Sequence, residues 1–154
     1  MLSKKIEAYM IQSNYFETNE DLKEHFHSLI NWDEIVNIYE HGFADAKLYE
    51  QSKDSRLEMA PTSVGEAIAY YEEILKSCGE ISGIYVSQVA QEVDWEGLAY
   101  ENGQVKHPQA MVDVVKKYHE AGLGPVAFKR KFGGLGVPNT IKAMIAEIMY
   151  RSDS

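Results

Sequence analysis

PTSVGEAIAYYEEILKSCGEISGIYVSQV, residues 61–89, decides how the chain folds. Ser63 followed three residues later by Glu66 reads as a capping box: the Ser63 hydroxyl accepts a backbone N–H and Glu66 reaches back. Pro61 stands just before it, as suits a chain entering a helix. From there apolar side chains recur three and four residues apart: Ala67, Tyr71, Ile74, Leu75, Cys78, then Ile81, Ile84, Tyr85, Gln88 and Val89. That period belongs to one face of an α-helix. Gly79 and Gly83 interrupt the composition but not the period. A glycine inside a helix costs only about 1 kcal/mol against alanine. The stretch therefore predicts one long helix from about 63 to 93, with both glycines tolerated inside it.

The same period appears on either side. Trp32, Ile35, Val36, Tyr39, Phe43 and Ala46 form a stripe upstream. Lys53-Asp54-Ser55-Arg56 reads as a solvated loop between it and the capped helix. Downstream, DWEGLAYENGQVKHP, residues 94–108, breaks the pattern. Asn102-Gly103 is a tight-turn signal, and Leu98, Tyr100 and Val105 flank it, so a short extended excursion is expected near 94–107. Pro108 suits the first position of the next helix. Met111, Val114, Val115 and Tyr118 give that helix its apolar face, and Gly122 stops it. A last helix starts near Pro138 with Ile141, Met144, Ile145 and Ile148 on one stripe. No run of alternating strands and no repeat is present. The fold class expected is all-α.

Composition sets the outer bounds. With 154 residues, 45% hydrophobic and 25% charged, the chain suits one soluble globular unit. A chain of this size buries roughly 70% of its unfolded surface, so it needs no staple. Fifteen basic against 24 acidic side chains leave a net charge of -9. Nucleic acid and anionic membranes repel such a chain. Cys78 is the one cysteine, so no internal disulfide forms; its apolar helical setting predicts an inert packed thiol. The start, MLSKKIEAYMIQSNYF, has neither a long apolar core nor a small-residue cleavage site. No apolar run approaches the ~20 residues that span a bilayer. A cytoplasmic protein without a membrane span is expected.

Four features of the sequence bear on chemistry. Gly133-Gly134-Leu135-Gly136 is neither a dinucleotide fingerprint, since Asn139 stands where the third glycine belongs, nor a P-loop, since no Gly-Lys-Ser/Thr follows. It reads as a turn into the Pro138 helix. Glu24-His25-Phe26-His27 contains one Glu-x-x-His, but a di-iron bundle uses two such motifs plus two further glutamates. Glu24 and His27 therefore offer only a weak metal reading. Lys129-Arg130-Lys131 is the one basic cluster, read as a solvated loop or as a contact for an anionic, nucleotide-bearing cofactor. No nucleophile elbow occurs, and no catalytic constellation is visible.

Taken in order, several stretches resemble one family. KFGGLGVPNTIKAMIAEIMYRSDS is similar to the aromatic-Gly-Gly-x-Gly-x-Pro…Glu segment in the N-terminal helical domain of acyl-CoA dehydrogenases. QEVDWEGLAYENGQVKHPQAM resembles its Asp-x-Glu-Gly…Gly-x-Val-x-x-Pro stretch through Asp94, Glu96, Gly97, Gly103, Val105 and Pro108. VVKKYHEAGLGPV resembles the segment that follows. INWDEIVNIYEHGFAD resembles the added N-terminal segment of the larger bacterial branch. Two departures stand out: Phe128-Lys129-Arg130-Lys131 replaces the Pro-Glu common before the glycines, and Val93 replaces a glycine before Asp94.

The resemblance implies an N-terminal helical extension over 1–60 and the dehydrogenase-type helical domain over 61–154, incomplete at its C-terminal end. It implies a structural motif of Phe132, Gly133, Gly134, Gly136, Pro138 and Glu147. It offers Met144, Ile145, Ile148 and Met149 as a face toward partner domains or an acyl pocket. The parent enzyme would carry FAD and act on an acyl-CoA thioester. Its middle and C-terminal domains hold the flavin contacts and the catalytic glutamate, so no catalytic, cofactor-binding or metal residue is expected in this chain, and the chain alone is expected to be silent. Self-association through an uncovered face follows as a further expectation. The alternative is a stand-alone, non-catalytic helical interaction module derived from the same domain.

Overall fold

The computed structural model of the chain describes residues 12–126 and 128–153. Residues 1–11, the start of the 1–60 segment, lie outside that range. The described residues are mostly helical, with one short two-stranded sheet. The helices are α1 (Glu20–Glu24), α2 (Trp32–Tyr39), α3 (Ala44–Ser52), α4 (Val64–Ile81), α5 (Ser87–Glu96), α6 (Gln109–Glu120) and α7 (Asn139–Ser152). The strands are β1 (Ala99–Glu101) and β2 (Gln104–Lys106). No described helix is long and apolar enough to cross a membrane.

The long helix expected over 63–93 is present. α4 runs into α5 through one π-helical turn, Ser82–Val86, without leaving the helical path. At 33 residues, such a rod is about 50 Å long. Ser63 caps it as expected, accepting the Glu66 N–H at 3.2 Å. Glu66 reaches one residue further back than a capping box requires. Its carboxylate takes the Thr62 N–H at 2.8 Å and the Thr62 hydroxyl at 2.7 Å.

The two interior glycines are more than tolerated. Residues 12–16 cross the rod at this point: the Tyr15 N–H donates to the Gly79 carbonyl at 3.0 Å and Asn14 donates to the Lys76 carbonyl at 3.1 Å. A Cβ on Gly79 would lie 2.6 Å from the Phe16 nitrogen, and one on Gly83 would lie 2.5 Å from the Ser13 carbonyl oxygen. Both positions form a notch in which backbone lies on backbone.

α7 packs along α4, α2 covers another side of it, and α6 lies against α4 and α5. The core draws on both halves of the chain. Phe16, Phe26, Trp32 and Tyr71 stack in sequence, with ring centroids 6.0, 4.9 and 5.8 Å apart. Trp32 also donates its indole N–H to the Phe26 carbonyl at 2.6 Å. Residues before 61 and after 61 therefore share one hydrophobic core.

The stripe from Trp32 to Ala46 is not one helix. It breaks after α2, where His41, Gly42 and Phe43 all take positive φ, before α3 begins. Two of those three residues carry side chains that disfavour this region. Just before the break Glu40 is buried, where it meets Arg130. The loop at 53–56 is also more structured than a solvated connection. Asp54 caps a 3₁₀ turn, Ser55–Leu57, and Arg56 donates to the Lys131 carbonyl at 2.8 Å.

The excursion is an antiparallel hairpin with Tyr100 opposite Val105. Asn102 and Gly103 both have positive φ, 51° and 80°, the geometry of the primed turn that matches strand twist. α5 continues to Glu96, taking in the first three residues of the region expected to be non-helical, and Gly97 ends it at φ 65°. Gly122 stops α6 as expected. Its N–H bonds to His119, and the Leu123 N–H bonds to Tyr118, which is a Schellman closure. Pro108 and Pro138 stand one residue outside the helices they were expected to begin, as N-caps of α6 and α7.

Candidate functional site

The glycine-rich loop is a turn built around a buried arginine. Arg130, from the basic cluster, is 3% exposed. Its guanidinium forks onto Glu40, with Nη1 2.7 Å from Oε2 and Nη2 2.9 Å from Oε1. Nη2 also donates to the Gly136 carbonyl at 3.1 Å, and Nη1 lies 3.4 Å from Asp45. Tyr70 places its ring 5.5 Å from the guanidinium carbon, and Tyr71 donates its hydroxyl to Glu40 at 2.6 Å. Burial opposes the charge on Arg130, but the bonds and charge of Glu40 outweigh it, so its pKa is raised. Burial, together with the bond to Glu40, raises Tyr71 well above the usual phenol range. Arg130 is thus neither part of a solvated loop nor free for an anionic ligand. Lys129 and Lys131 remain exposed.

This explains the loop sequence. Gly133 and Gly136 have φ of 81° and 60°, and a Cβ on Gly136 would sit 2.9 Å from Arg130 Cγ. A Cβ on Gly134 would press on the Phe128 carbonyl. The N–H groups of Gly133, Gly134 and Gly136 donate to the carbonyls of Arg130, Lys129 and Phe128. A phosphate cradle needs such donors free and pointing outward. These are spent inward, so the loop does not fit a flavin pyrophosphate. Of the remaining motif residues, Phe132 is exposed, Pro138 caps α7, and Glu147 accepts from Asn19 at 3.3 Å, tying α1 to α7.

The four residues offered as a partner or acyl face divide. Met144, Ile145 and Ile148 are all buried in the chain's own core, and only Met149 is exposed. Ile145 and Met149 line an apolar groove between α4, α6 and α7 with a volume of about 310 Å³. Val115, Leu123 and Val126 supply further apolar wall; Cys78, Tyr118 and His119 supply its heteroatoms. The volume lies at the lower end of small-molecule sites. At one end the Tyr118 and Ser82 hydroxyls are 2.9 Å apart. The sequence carries half of the groove: α7 contributes Ile145 from the expected stripe and Met149 from the face the resemblance offered, but the approach of α6 follows from tertiary packing alone.

Cys78 is fully buried at the groove. Burial pushes its thiol up to about 11, although bonds with Tyr118 and Ser82 act in the opposite direction. The native protein is therefore expected to resist a thiol-specific disulfide reagent at neutral pH and to react once unfolded. The raised value also gives a signed pH effect. The folded thiol keeps its proton longer than the unfolded one, so its contribution to stability is complete below pH 9.0 and is lost as pH rises through about 11. Denaturant unfolding of the protein and of Cys78→Ala across that window checks it: the variant should lose less stability with rising pH.

Glu24 and His27 join no metal cluster: no group of three or more His, Cys, Asp or Glu among the described residues is placed to hold an ion. His27 instead lies 3.7 Å from Glu72 and edge-on to Phe26. No protein-family model, curated protein or solved structure matches the chain.

Proposed function

We propose that the chain is the N-terminal helical portion of an FAD-dependent, cytoplasmic acyl-CoA dehydrogenase, with the groove between α4, α6 and α7 as part of an acyl-chain wall. The observation that carries this reading is the groove itself. Its walls come from the helix after GGLG and the helix after the hairpin, and both lie in stretches that resemble the family. Ile145, Met149, Val115 and Leu123 offer an alkyl chain a water-excluding surface with few competing polar groups. Methionine adapts to chains of varied shape.

In such an enzyme the flavin accepts the hydride and supplies the hard chemistry. This chain's part is to orient the acyl chain and keep water away from it. The N–H groups of its glycine-rich loop are already used within the chain, so in this reading flavin binding falls to other domains of the parent. Alone, the chain is catalytically silent.

The test is isolation of the protein from its native cells. A yellow product that oxidises an acyl-CoA with an artificial electron acceptor is the expected result. A colourless native product of 154 residues that dehydrogenates nothing would overturn the reading and leave the stand-alone interaction module.

A further inference from the structure

The bonds that tie Arg130 to Glu40 leave one of its donors over. Arg130 Nε is the one buried side-chain nitrogen or oxygen among the described residues without a hydrogen-bond partner. Buried donors nearly always have one, and an orphan points to a water or an ion that completes it. The guanidinium is planar, and its Nε–H runs parallel to the Nη2–H that donates to the Gly136 carbonyl. It therefore faces Gly136, where a Cβ would lie 3.3 Å from Nε. Gly136 forms part of the wall of an open cleft of about 310 Å³, between the turn after α2, the start of α3 and the glycine-rich loop. No side chain at Gly136 screens Nε from that cleft.

Further donors converge on the same cleft. The N-cap of α3 is Phe43, whose side chain has no acceptor to offer. Ala44 and Lys47 donate to the Glu40 and Phe43 carbonyls, but the N–H groups of Asp45 and Ala46 between them reach no acceptor among the described residues. An uncapped helix start attracts anions through its free N–H groups and its dipole. Tyr39 lines the cleft half-buried, and its hydroxyl has no partner among the described residues. Burial raises its pKa above the usual phenol value, so it keeps its proton to donate. Lys129 and Lys131 line the cleft from the loop side and are exposed. Glu40 is already neutralised by Arg130. The remaining fixed charge is two ammonium groups against the one carboxylate of Asp45, a local positive excess in a chain of net charge -9.

We propose that this cleft binds the phosphate group of a small ligand, held by the Asp45 and Ala46 N–H groups, by Lys129 and Lys131, and with one oxygen turned to Arg130 Nε. The donors outnumber the two oxygens of a carboxylate, whereas a phosphate group brings at least three. The proposal rests on the cleft and not on the dehydrogenase reading. Two-dimensional NMR of the isotope-labelled chain, titrated separately with inorganic phosphate, methyl phosphate and acetate, tests it. Saturable shifts of the Asp45 and Ala46 amide signals and of the Arg130 Nε–H are expected with phosphate at millimolar concentration or below. Tighter binding of methyl phosphate marks the ligand as a phosphate ester, and tighter binding of inorganic phosphate marks it as the free ion. Lys129→Gln combined with Lys131→Gln, both at exposed positions, should weaken binding by about tenfold or more. Asp45→Asn removes the competing carboxylate and should tighten it severalfold. Lys106→Gln, on the exposed hairpin, should change nothing. The proposal is overturned if neither phosphate probe shifts those signals, if acetate binds as well as phosphate, or if Lys106→Gln weakens binding as much as the double change does.

Discussion

Replacing Glu40 by Ala should lower the free energy of unfolding by about 3–5 kcal/mol, the range found when one partner of a buried ion pair is removed. Arg130 would remain charged, because a guanidinium does not give up its proton in a protein. It would remain in a site 3% exposed, without the two carboxylate oxygens that now face it at 2.7 and 2.9 Å. Tyr71 would lose its acceptor in the same step. Asp45 could not replace Glu40, since it reaches Nη1 only at 3.4 Å and is partly solvated. Against a total stability of about 5–15 kcal/mol for a domain, such a loss is severe. Arg130→Lys should also be costly, because an ammonium cannot span Glu40 and the Gly136 carbonyl together.

The control is the pair of changes Glu40→Leu and Arg130→Met made together. Removing both charges leaves no buried ion unpaired, and apolar replacements of buried pairs are often neutral. The Tyr71 hydroxyl and the Gly136 carbonyl still lose their partners, so the double variant should recover the part of the loss that comes from the uncompensated charge. Guanidinium unfolding of the protein, the two single variants and the double variant measures this directly. A loss under about 1 kcal/mol for Glu40→Ala would be the behaviour of a solvated pair and would sink the claim.

The pair also shows where the sequence stops being informative. Arg130 sits between two lysines, and a run of three cations reads as a solvated face. Glu40 sits in an apolar stripe that Phe43 and Ala46 prolong, so the turn after α2 carries no local signal. Ninety residues separate the partners, and only the folded chain brings them together. What was legible was local. Ser63 capped its helix because a cap and its N–H lie three residues apart. Asn102-Gly103 made its turn because two residues fix it. Gly122 stopped α6 through bonds within the same helix end. The apolar groove was legible in part, since α7's period placed Ile145 but nothing in the sequence placed α6 beside it.

Gly79→Ala should destabilise the protein, although helix propensity alone predicts the opposite. In a helix interior, alanine is better than glycine by about 0.8–1.0 kcal/mol. Gly65 tests that baseline within α4, because a Cβ there meets nothing within 4 Å. Gly65→Ala is accordingly expected to stabilise by several tenths of a kcal/mol. At Gly79 the added carbon would stand 2.6 Å from the Phe16 nitrogen and 2.9 Å from Phe16 Cβ. The nearest obstacle is the Asn14 amide oxygen, pinned by the two N–H groups it accepts, and beside it stands the Phe16 backbone, held by the Tyr15 bond to Gly79. Relief requires the crossing segment to lift away, which pulls Phe16 from the aromatic stack beneath it. Overpacking of this kind costs about 1–3 kcal/mol, enough to reverse the sign set by propensity. Urea unfolding of the two variants side by side separates the causes. If both alanines stabilise equally, residues 12–16 do not lie on the rod and the notch is not a packing site. If Gly65→Ala stabilises while Gly79→Ala destabilises, the glycine at 79 is held in place by the chain that crosses it.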